Sequence, residues 1–522
     1  MNLSAPPPKQ LPLDLLAIAY SDREGEACAR SVWSLNHAFM LAVVVDFAIY
    51  FALCGPLALI TAAILSLSLC LAVTVMFRFF VVLLSIFMKP EIKVSTAEVE
   101  ATSASDLPVF TILVPLYREA NVAGSIIKSI SQLQYPRELL DIKLLLEEDD
   151  ELTTQAVRAV ELGPEFDVVL VAPSHPRTKP KACNHGLARA RGEFVVIFDA
   201  EDKPEPDQLL KAVYAFRNAG PNVACLQAKL NYFNARENFI TRSFALEYTA
   251  WFDMVLPGLQ LLNAPIPLGG TSNHFRTKIL QELGGWDPFN VTEDCDLGIR
   301  LSIRKYRTML LDSTTWEEAN TEVGNWIRQR SRWIKGYMQT HFVHTKHPFA
   351  LLQNLGYIKT LYFLLTVGGV AVMQLLNLVL WAISFAYLGL LSIDLIEGRS
   401  LWVVVAGSRD EYRIAWKMLF LGPGEDPVWS QISLVAFCAS ILMFIANGFF
   451  VGINLLACRK RNYHDLWLAA LLSPLYWTLA SVAAWKGAIQ LIRNPHFWEK
   501  TVHGLTHVSA ETAITDVLPV KS

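Results

Sequence analysis

The stretch FVVIFDAED, Phe194 to Asp202, sets a five-residue run of β-branched and aromatic side chains directly before three carboxylates. A short apolar run with polar boundaries reads as a buried strand. Asp199, Glu201 and Asp202 then stand at its carboxyl end. The same grammar repeats outward. Val109–Leu116 reads as a first strand, with helical periodicity from Glu119 to the breaker Tyr135-Pro136. Ile142–Leu146 is a second strand and Val168–Ala172 a third, and Ala182–Arg191 is helical ahead of the fourth. Alternating units of this size predict an α/β fold with a doubly wound, parallel sheet. Such sheets bind ligands beyond the carboxyl ends of their strands, where the acidic run Glu147-Glu148-Asp149-Asp150 also falls. No GxGxxG follows the first strand and no GxxxxGK[ST] occurs, so dinucleotide and P-loop readings lose support.

One acidic run alone is most often a solvated loop or a helix N-terminus. Two runs at neighbouring strand ends repel each other unless a cation or ligand joins them. A hard divalent cation such as Mg²⁺, bridging carboxylates to phosphate, suits that chemistry. Further along, Thr292-Glu293-Asp294-Cys295-Asp296 precedes a helical stretch from Leu297. It reads equally as a capped helix start or as a turn that presents Asp294 as a general base. Gln329-Arg330-Ser331-Arg332-Trp333 lies on a helix, where Arg332 suits phosphate and Trp333 suits the face of a sugar ring. A membrane-proximal anchor is the plainer alternative for such a helix.

Composition supplies the setting. Of 522 residues, 53% are hydrophobic and 18% charged, too apolar for an ordinary soluble protein. Lys plus Arg number 45 against 48 Asp plus Glu, so no basic excess points to nucleic acid. The eight cysteines include no CxxC, which argues against a disulfide framework or a zinc site. Residues 38–88 form an apolar block of 51 residues broken only by Asp46 and Arg78, room for two spans turning at Gly55-Pro56. Leu361–Leu391 (31 residues) and Ile432–Ala457 (26 residues) are uncharged and long enough to cross. The basic loop Cys458–Asn462 is cytoplasmic by the positive-inside tendency, which puts residues 89–348 and the leading segment 1–37 in the cytoplasm as well. That leading segment lacks the features of a signal peptide. Trp467–Ile492 has the hydropathy of a fifth span, yet it contains Pro474 and interfacial Trp467, Tyr476 and Trp477.

Taken in order, the acidic pair, the D-x-D-like turn, T-E-D and Q-x-x-R-W between membrane segments resemble the family 2 glycosyltransferases of the cellulose synthase and hyaluronan synthase type. The resemblance runs from about Leu107 to Gly504. It includes Val114–Glu119 and the K-A-x-N element Lys181–Asn184. It implies a GT-A type domain that binds a nucleotide sugar, flanked by transmembrane helices in a multi-pass protein of the cell (inner) membrane. By the same resemblance Glu147, Glu148 and Lys181 contact the nucleotide, and Asp199 with Glu201 holds Mg²⁺ or Mn²⁺ and the diphosphate. Asp294 is the base, and Gln329, Arg332 and Trp333 bind diphosphate and acceptor. The sequence departs from the pattern twice. Glutamates replace aspartates in the first pair, and the turn reads D-A-E-D, so Asp202 shares or replaces the role of Glu201.

The segment Trp498–Gly504 resembles the gating loop of these synthases, with Trp498, Lys500, Thr501 and His503 near the nucleotide; an aromatic and basic membrane-exit anchor is the plainer reading. A gating role requires a cytoplasmic tail over residues 493–522. Residues 467–492 would then form an interfacial or re-entrant helix broken near Pro474, leaving four true spans. The resemblance implies hexosyl transfer, with UDP-glucose the favoured donor, to a growing β-glucan-like polysaccharide. A non-processive transfer to a lipid-linked acceptor is the alternative, separated by product length. Four spans are few for a channel, so a homo-oligomer or an export partner is expected with the first reading. A transporter with an accessory domain predicts more ionisable residues in the spans than Asp46 and Arg78.

Overall fold

The computed structural model describes Tyr20 and residues 28–100, 106–396 and 428–506. Expectations for most of segment 1–37 and for the tail beyond Thr506 lie outside these residues. Helices α1 (Leu35–Cys54) and α2 (Pro56–Met88) meet at Gly55, whose φ of 134° is open to glycine, with Pro56 starting the next helix. The α/β domain follows. Its strands are β1 (Phe110–Leu116), β2 (Leu140–Glu147), β3 (Phe166–Val171), β4 (Phe194–Ile197), β5 (Lys203–Pro204), β6 (Val223–Tyr232), β7 (Asn273–Arg276) and β8 (Arg307–Glu317).

Spatial order in the sheet is β3-β2-β1-β4-β7-β6-β8-β5. The first four strands are parallel, as their alternation with helices predicts. The expectation of a wholly parallel sheet is corrected beyond β4. Strand β7 runs antiparallel to both β4 and β6, and β5 antiparallel to β8, so the sheet is mixed. Four residues, NHFR, make up β7, too short and polar to register as a strand by pattern. Side chains of β1 alternate: Ile112 and Val114 enter the core on one face of the sheet, and Leu113 the core on the other. All three are fully buried, and such aliphatic side chains each contribute roughly 1.5–3 kcal/mol.

Four more helices place the site: α3 (Lys179–Leu187) after β3, α4 (Phe239–Ala250) with a π-turn at Trp251–Val255, α5 (Glu293–Ile303), and α6 (Val323–Thr345). Beyond them, α7 (Gly369–Ile396), α8 (Val428–Lys460) and α9 (Ser473–Arg493) complete the apolar part. Among the described residues, four helical stretches are long and apolar enough to cross a membrane: Leu35–Cys54, Leu59–Met88, Tyr357–Ala386 and Phe437–Lys460. A bent pair, His464–Leu471 with Ser473–Arg493, turns by 59° at Leu472, two residues before Pro474.

Three of the described segments that flank these helices return to the α/β domain. Before α1, the Ala29 amide donates to Asp287 Oδ2 at 2.6 Å. After α8, Arg461 makes a two-pronged contact with buried Asp253 at 2.5 and 3.0 Å, and Arg236 meets Asp465 at 2.8 Å. After α9, Lys335 Nζ donates to the Phe497 carbonyl at 2.6 Å. Domain and membrane helices also touch directly, since a Cβ added at Gly258 would stand 2.1 Å from the Val81 carbonyl oxygen in α2. Gly258→Ala should therefore destabilise by about 1–3 kcal/mol, read as a lower midpoint in thermal unfolding of the detergent-solubilised protein. Gly448→Ala, where an added Cβ meets nothing within 4 Å, should leave that midpoint unchanged.

Candidate active site

A cavity of about 630 Å³ opens at the carboxyl ends of β1 and β4 and reaches between α2, α7 and α8. Side-chain contacts lock α3 to the loop that precedes α5. Asn184 of α3 accepts from the Trp286 amide at 2.9 Å and donates to the Trp286 carbonyl at 2.7 Å. Gly285, at φ 72°, leaves no room for a side chain there, because its Cβ would stand 2.1 Å from Asn184 Oδ1. Arg300 closes the arrangement by bonding the Gly285 carbonyl at 2.7 Å and Asp296 at 2.8 Å, and His344 takes the other Asp296 oxygen at 2.9 Å. Asp296 is thus a structural anchor, and α5 is held so that Asp294 lines the cavity.

Asp294 and Asp199 converge on the bare face of Gly270, where a Cβ would lie 3.4 Å from Asp294 Oδ2 and 3.9 Å from Asp199 Oδ2. Burial raises the Asp294 carboxyl to about 6. Burial and the neighbouring Asp294 raise Glu293 to about 8. Against this acidity stands Lys179, 2.5 Å from Asp199 Oδ1 and donating to the Gly270 carbonyl at 2.7 Å. Burial opposes its charge, but Asp199 and Glu293 outweigh that and hold its pKa above the ordinary lysine value.

The predicted residues divide. Glu147, Asp199, Glu201, Asp294, Gln329, Arg332, Trp333, Trp498, Lys500, Thr501 and His503 all line the one cavity. Three others do not. Glu148 is exposed at the strand end. Lys181 points into the domain, 2% exposed and 3.0 Å from Glu147, because it lies two residues along α3 from the cavity lysine. Asp202 is 1% exposed and turned inward; its Oδ2 accepts from the Asp199 amide at 2.7 Å and from the Thr271 hydroxyl, so it ties the turn together. Lys179, beside the K-A-x-N element, lines the cavity instead of Lys181. Glu119, quoted only as the end of the first-strand element, and Glu317, at the end of a strand with no distinctive motif, also line the cavity.

The C-terminal segment covers the opening. Glu318 accepts from the amides of Gly504, Leu505 and Thr506 at 2.7, 2.8 and 2.8 Å. Asn325 exchanges two bonds with the Val502 backbone, at 2.9 and 3.2 Å. The Arg332 guanidinium stacks 4.5 Å from the Trp498 ring centroid, and Lys500 bonds Glu119. His503 Nδ1 lies 3.1 Å from Glu201 Oε1. Burial, then repulsion from Asp199, raises Glu201 to about 7. Largely buried, mutually repelling carboxylates that line one cavity are the donor set of a hard divalent cation, so these residues fit one.

At the membrane end, Trp333 packs 5.8 Å from Phe244 and 6.2 Å from Tyr248, held by Arg330, which is paired with Glu247 at 3.0 and 2.5 Å. Arg78 of α2 sits 5.5 Å from both the Trp251 and Phe450 rings.

A family model described as glycosyltransferase like family 2 matches residues 108–336. The β-monoglucosyldiacylglycerol synthase of Nostoc sp. is 28% identical over 271 residues, 50% of this chain and 56% of that protein. The probable glucomannan 4-β-mannosyltransferase 7 of Oryza sativa is 27% identical over 248 residues, 45% of this chain and 42% of that protein. The chain thus spans about half the length of the curated relatives it matches. A solved mannosyltransferase from Pyrobaculum calidifontis, in complex with GDP-Man and Mn²⁺, has a TM-score of 0.42 and 20% identity, covering 72% of this chain and 99% of that one. Residues 108–336 are thus similar to family 2 glycosyltransferase domains.

Proposed function

We propose that the chain is a membrane-integrated, inverting glycosyltransferase of the cellulose synthase-like kind. It moves a hexose from a nucleotide sugar, with UDP-glucose the favoured donor, to a growing β-glucan-like polysaccharide. One observation carries the proposal: the cavity that holds Asp199 and Asp294 continues without a break to Trp251, Phe450 and Trp477 among the apolar helices. Donor chemistry and an aromatic acceptor path share one space.

Inverting transfer needs a base for the acceptor hydroxyl, and Asp294, buried and raised toward neutrality, takes that proton. As the hydroxyl oxygen attacks the anomeric carbon, the bond to the diphosphate breaks and negative charge grows on the leaving group. Lys179 and Arg332, both lining the cavity, stabilise that charge. Glu201 with Asp199 would hold a divalent cation, which when bound neutralises the same oxygens. Trp333 offers its ring to the acceptor sugar. The catalytic domain faces the cytoplasm of the cell (inner) membrane, and the bent 464–493 pair enters and leaves on that side. The tail acts as a lid over the nucleotide, and a homo-oligomer or export partner completes the path for the product.

Transfer to a lipid-linked acceptor is the second reading, and Arg78 favours it. Among the described residues its guanidinium makes no hydrogen bond or ion pair within 4 Å, only the two ring contacts. A fixed charge in an apolar helix marks a site for a polar or anionic group.

Asp294→Asn should lower sugar transfer by about 10²–10⁴-fold while donor binding persists, measured as nucleotide release across a panel of sugar nucleotides. Because the base works as a carboxylate with a pKa of about 6, kcat/KM of the wild type should fall tenfold per pH unit below that value and level off above it. Sizing the product of the active donor separates polymer from glycolipid. Glu318→Ala, which removes three acceptor contacts of the tail, should speed tryptic cleavage after Lys500 by at least about tenfold.

A further inference from the structure

Helix α1 carries one charged side chain, Asp46, in a run that is otherwise uncharged from Ala38 to Cys54. It lies about 16 Å along a helix of about 30 Å, the middle of the span. What α1 touches fixes the direction of this carboxylate. His37 meets Thr345 at 3.2 Å and the Phe342 ring at 5.4 Å. From Ala38 to Cys54 only Ala48 and Phe51 are half-buried, and every other residue is exposed. At about 100° per residue, His37, Ala48 and Phe51 all lie within about 40° of the side opposite Asp46. Asp46 therefore points away from the rest of the molecule, and among the described residues it makes no hydrogen bond or ion pair. A carboxylate facing lipid at that depth is costly; charged groups within spans face protein or water and find a partner. The face around it is shaped for contact. Leu35, Phe39, Ala42, Asp46, Ile49 and Leu53 recur alternately every three or four residues, the seam of helices that cross at a small angle. Ala42, one turn from Asp46, lets another backbone come close. The base of α1 is held firmly, since Asn36 donates to the Lys346 carbonyl at 2.6 Å and Trp33 packs 4.8 Å from Phe342.

We propose that the Asp46 face of α1 docks a membrane helix of another protein, one that carries a lysine or arginine near the middle of its span. Charge decides the occupant. In a symmetric pair of α1 helices the seam sets Asp46 against Asp46, and like charges repel. Within this chain, the mid-span cation among the described residues is Arg78, which is turned toward Trp251 and Phe450 on the cavity side. A basic side chain from outside neutralises Asp46 at a depth where lipid cannot. It also fixes the register of the two helices, as a single polar residue does in a seam. Docking here requires only that α1 crosses the membrane, and it does not depend on which sugar the chain transfers. The partner's place is beside α2, whose Arg78 borders the cavity, and clear of the opening that the tail covers.

The test uses the full chain in lipid vesicles, with Cys438→Ser and a donor dye on Cys54; both cysteines are exposed in the native chain. Acceptor-labelled synthetic helices of leucine and alanine carry one central lysine, leucine or glutamate. Energy transfer should show the lysine helix bound at least about tenfold more tightly than the leucine helix. Asp46→Asn should remove that difference, and Asp46→Lys should move the preference to the glutamate helix. Asp46→Asn should keep the wild-type midpoint of thermal unfolding, which separates lost docking from lost folding. Equal binding of the lysine and leucine helices by the wild type, as when residues 397–427 of this chain already cover the face, overturns the proposal. Asp46-dependent energy transfer between wild-type chains overturns it too, by making a second copy the occupant. In the native membrane, a photoreactive residue in place of Ala42 should cross-link to a different chain with a mid-span lysine or arginine; cross-links to lipid alone or to a second copy overturn the proposal. Sugar transfer in vesicles should be unchanged by Asp46→Asn and lost in Asp294→Asn, so the docking face and the catalytic reading fail separately.

Discussion

Mutual repulsion among buried carboxylates is the constraint around which the rest of the molecule is arranged. Asp199, Glu201, Glu293, Asp294 and Glu317 line one cavity, with Asp202 buried behind them. Removing such groups from water is costly unless each finds a counter-charge or donors. Lys179 answers Asp199, the Asp199 amide and Thr271 answer Asp202, and the tail brings Lys500 and His503 to Glu119 and Glu201. The remaining imbalance shows as carboxyls pushed above their ordinary range, Glu201 to about 7 and Glu293 to about 8. A cation would supply the positive charge that this imbalance lacks.

Much of this was legible in the sequence, and the reasons are physical. Strands β1, β2 and β4 announce themselves because both faces are buried, so apolar residues predominate on both sides of each. The acids at their ends follow from chain direction alone. What stayed hidden was anything that depends on which way a side chain turns. Lys179 and Lys181 lie on one short helix two residues apart, and only the helix orientation decides which of them faces the cavity. Asp202 and Glu201 are adjacent, and a tight turn sends one inward and the other out. The tail's place was read by resemblance, since nothing in its composition separates a lid from a membrane anchor.

The mixed sheet has a similar explanation. Strand β7 lies between β4 and β6, and a stretch of four residues with a buried asparagine and histidine carries no periodic signal. Its partners create it. Tertiary context likewise sets the bend in the 464–493 pair, where Pro474 allows the break and the packing of α9 against α6 fixes the direction; a Cβ at Gly487 would stand 2.7 Å from the Ser331 carbonyl.

That close packing bears on the tail in another way. The Phe497 carbonyl is pinned to Lys335, so His503 lies only six positions along the chain from the anchor. An extended chain of that length spans at most about 20 Å. A binding segment on so short a tether meets its site at an effective concentration in the millimolar range. A segment on so short a tether needs no strong contacts of its own to stay at the cavity, and individually weak bonds hold it there without letting it drift away.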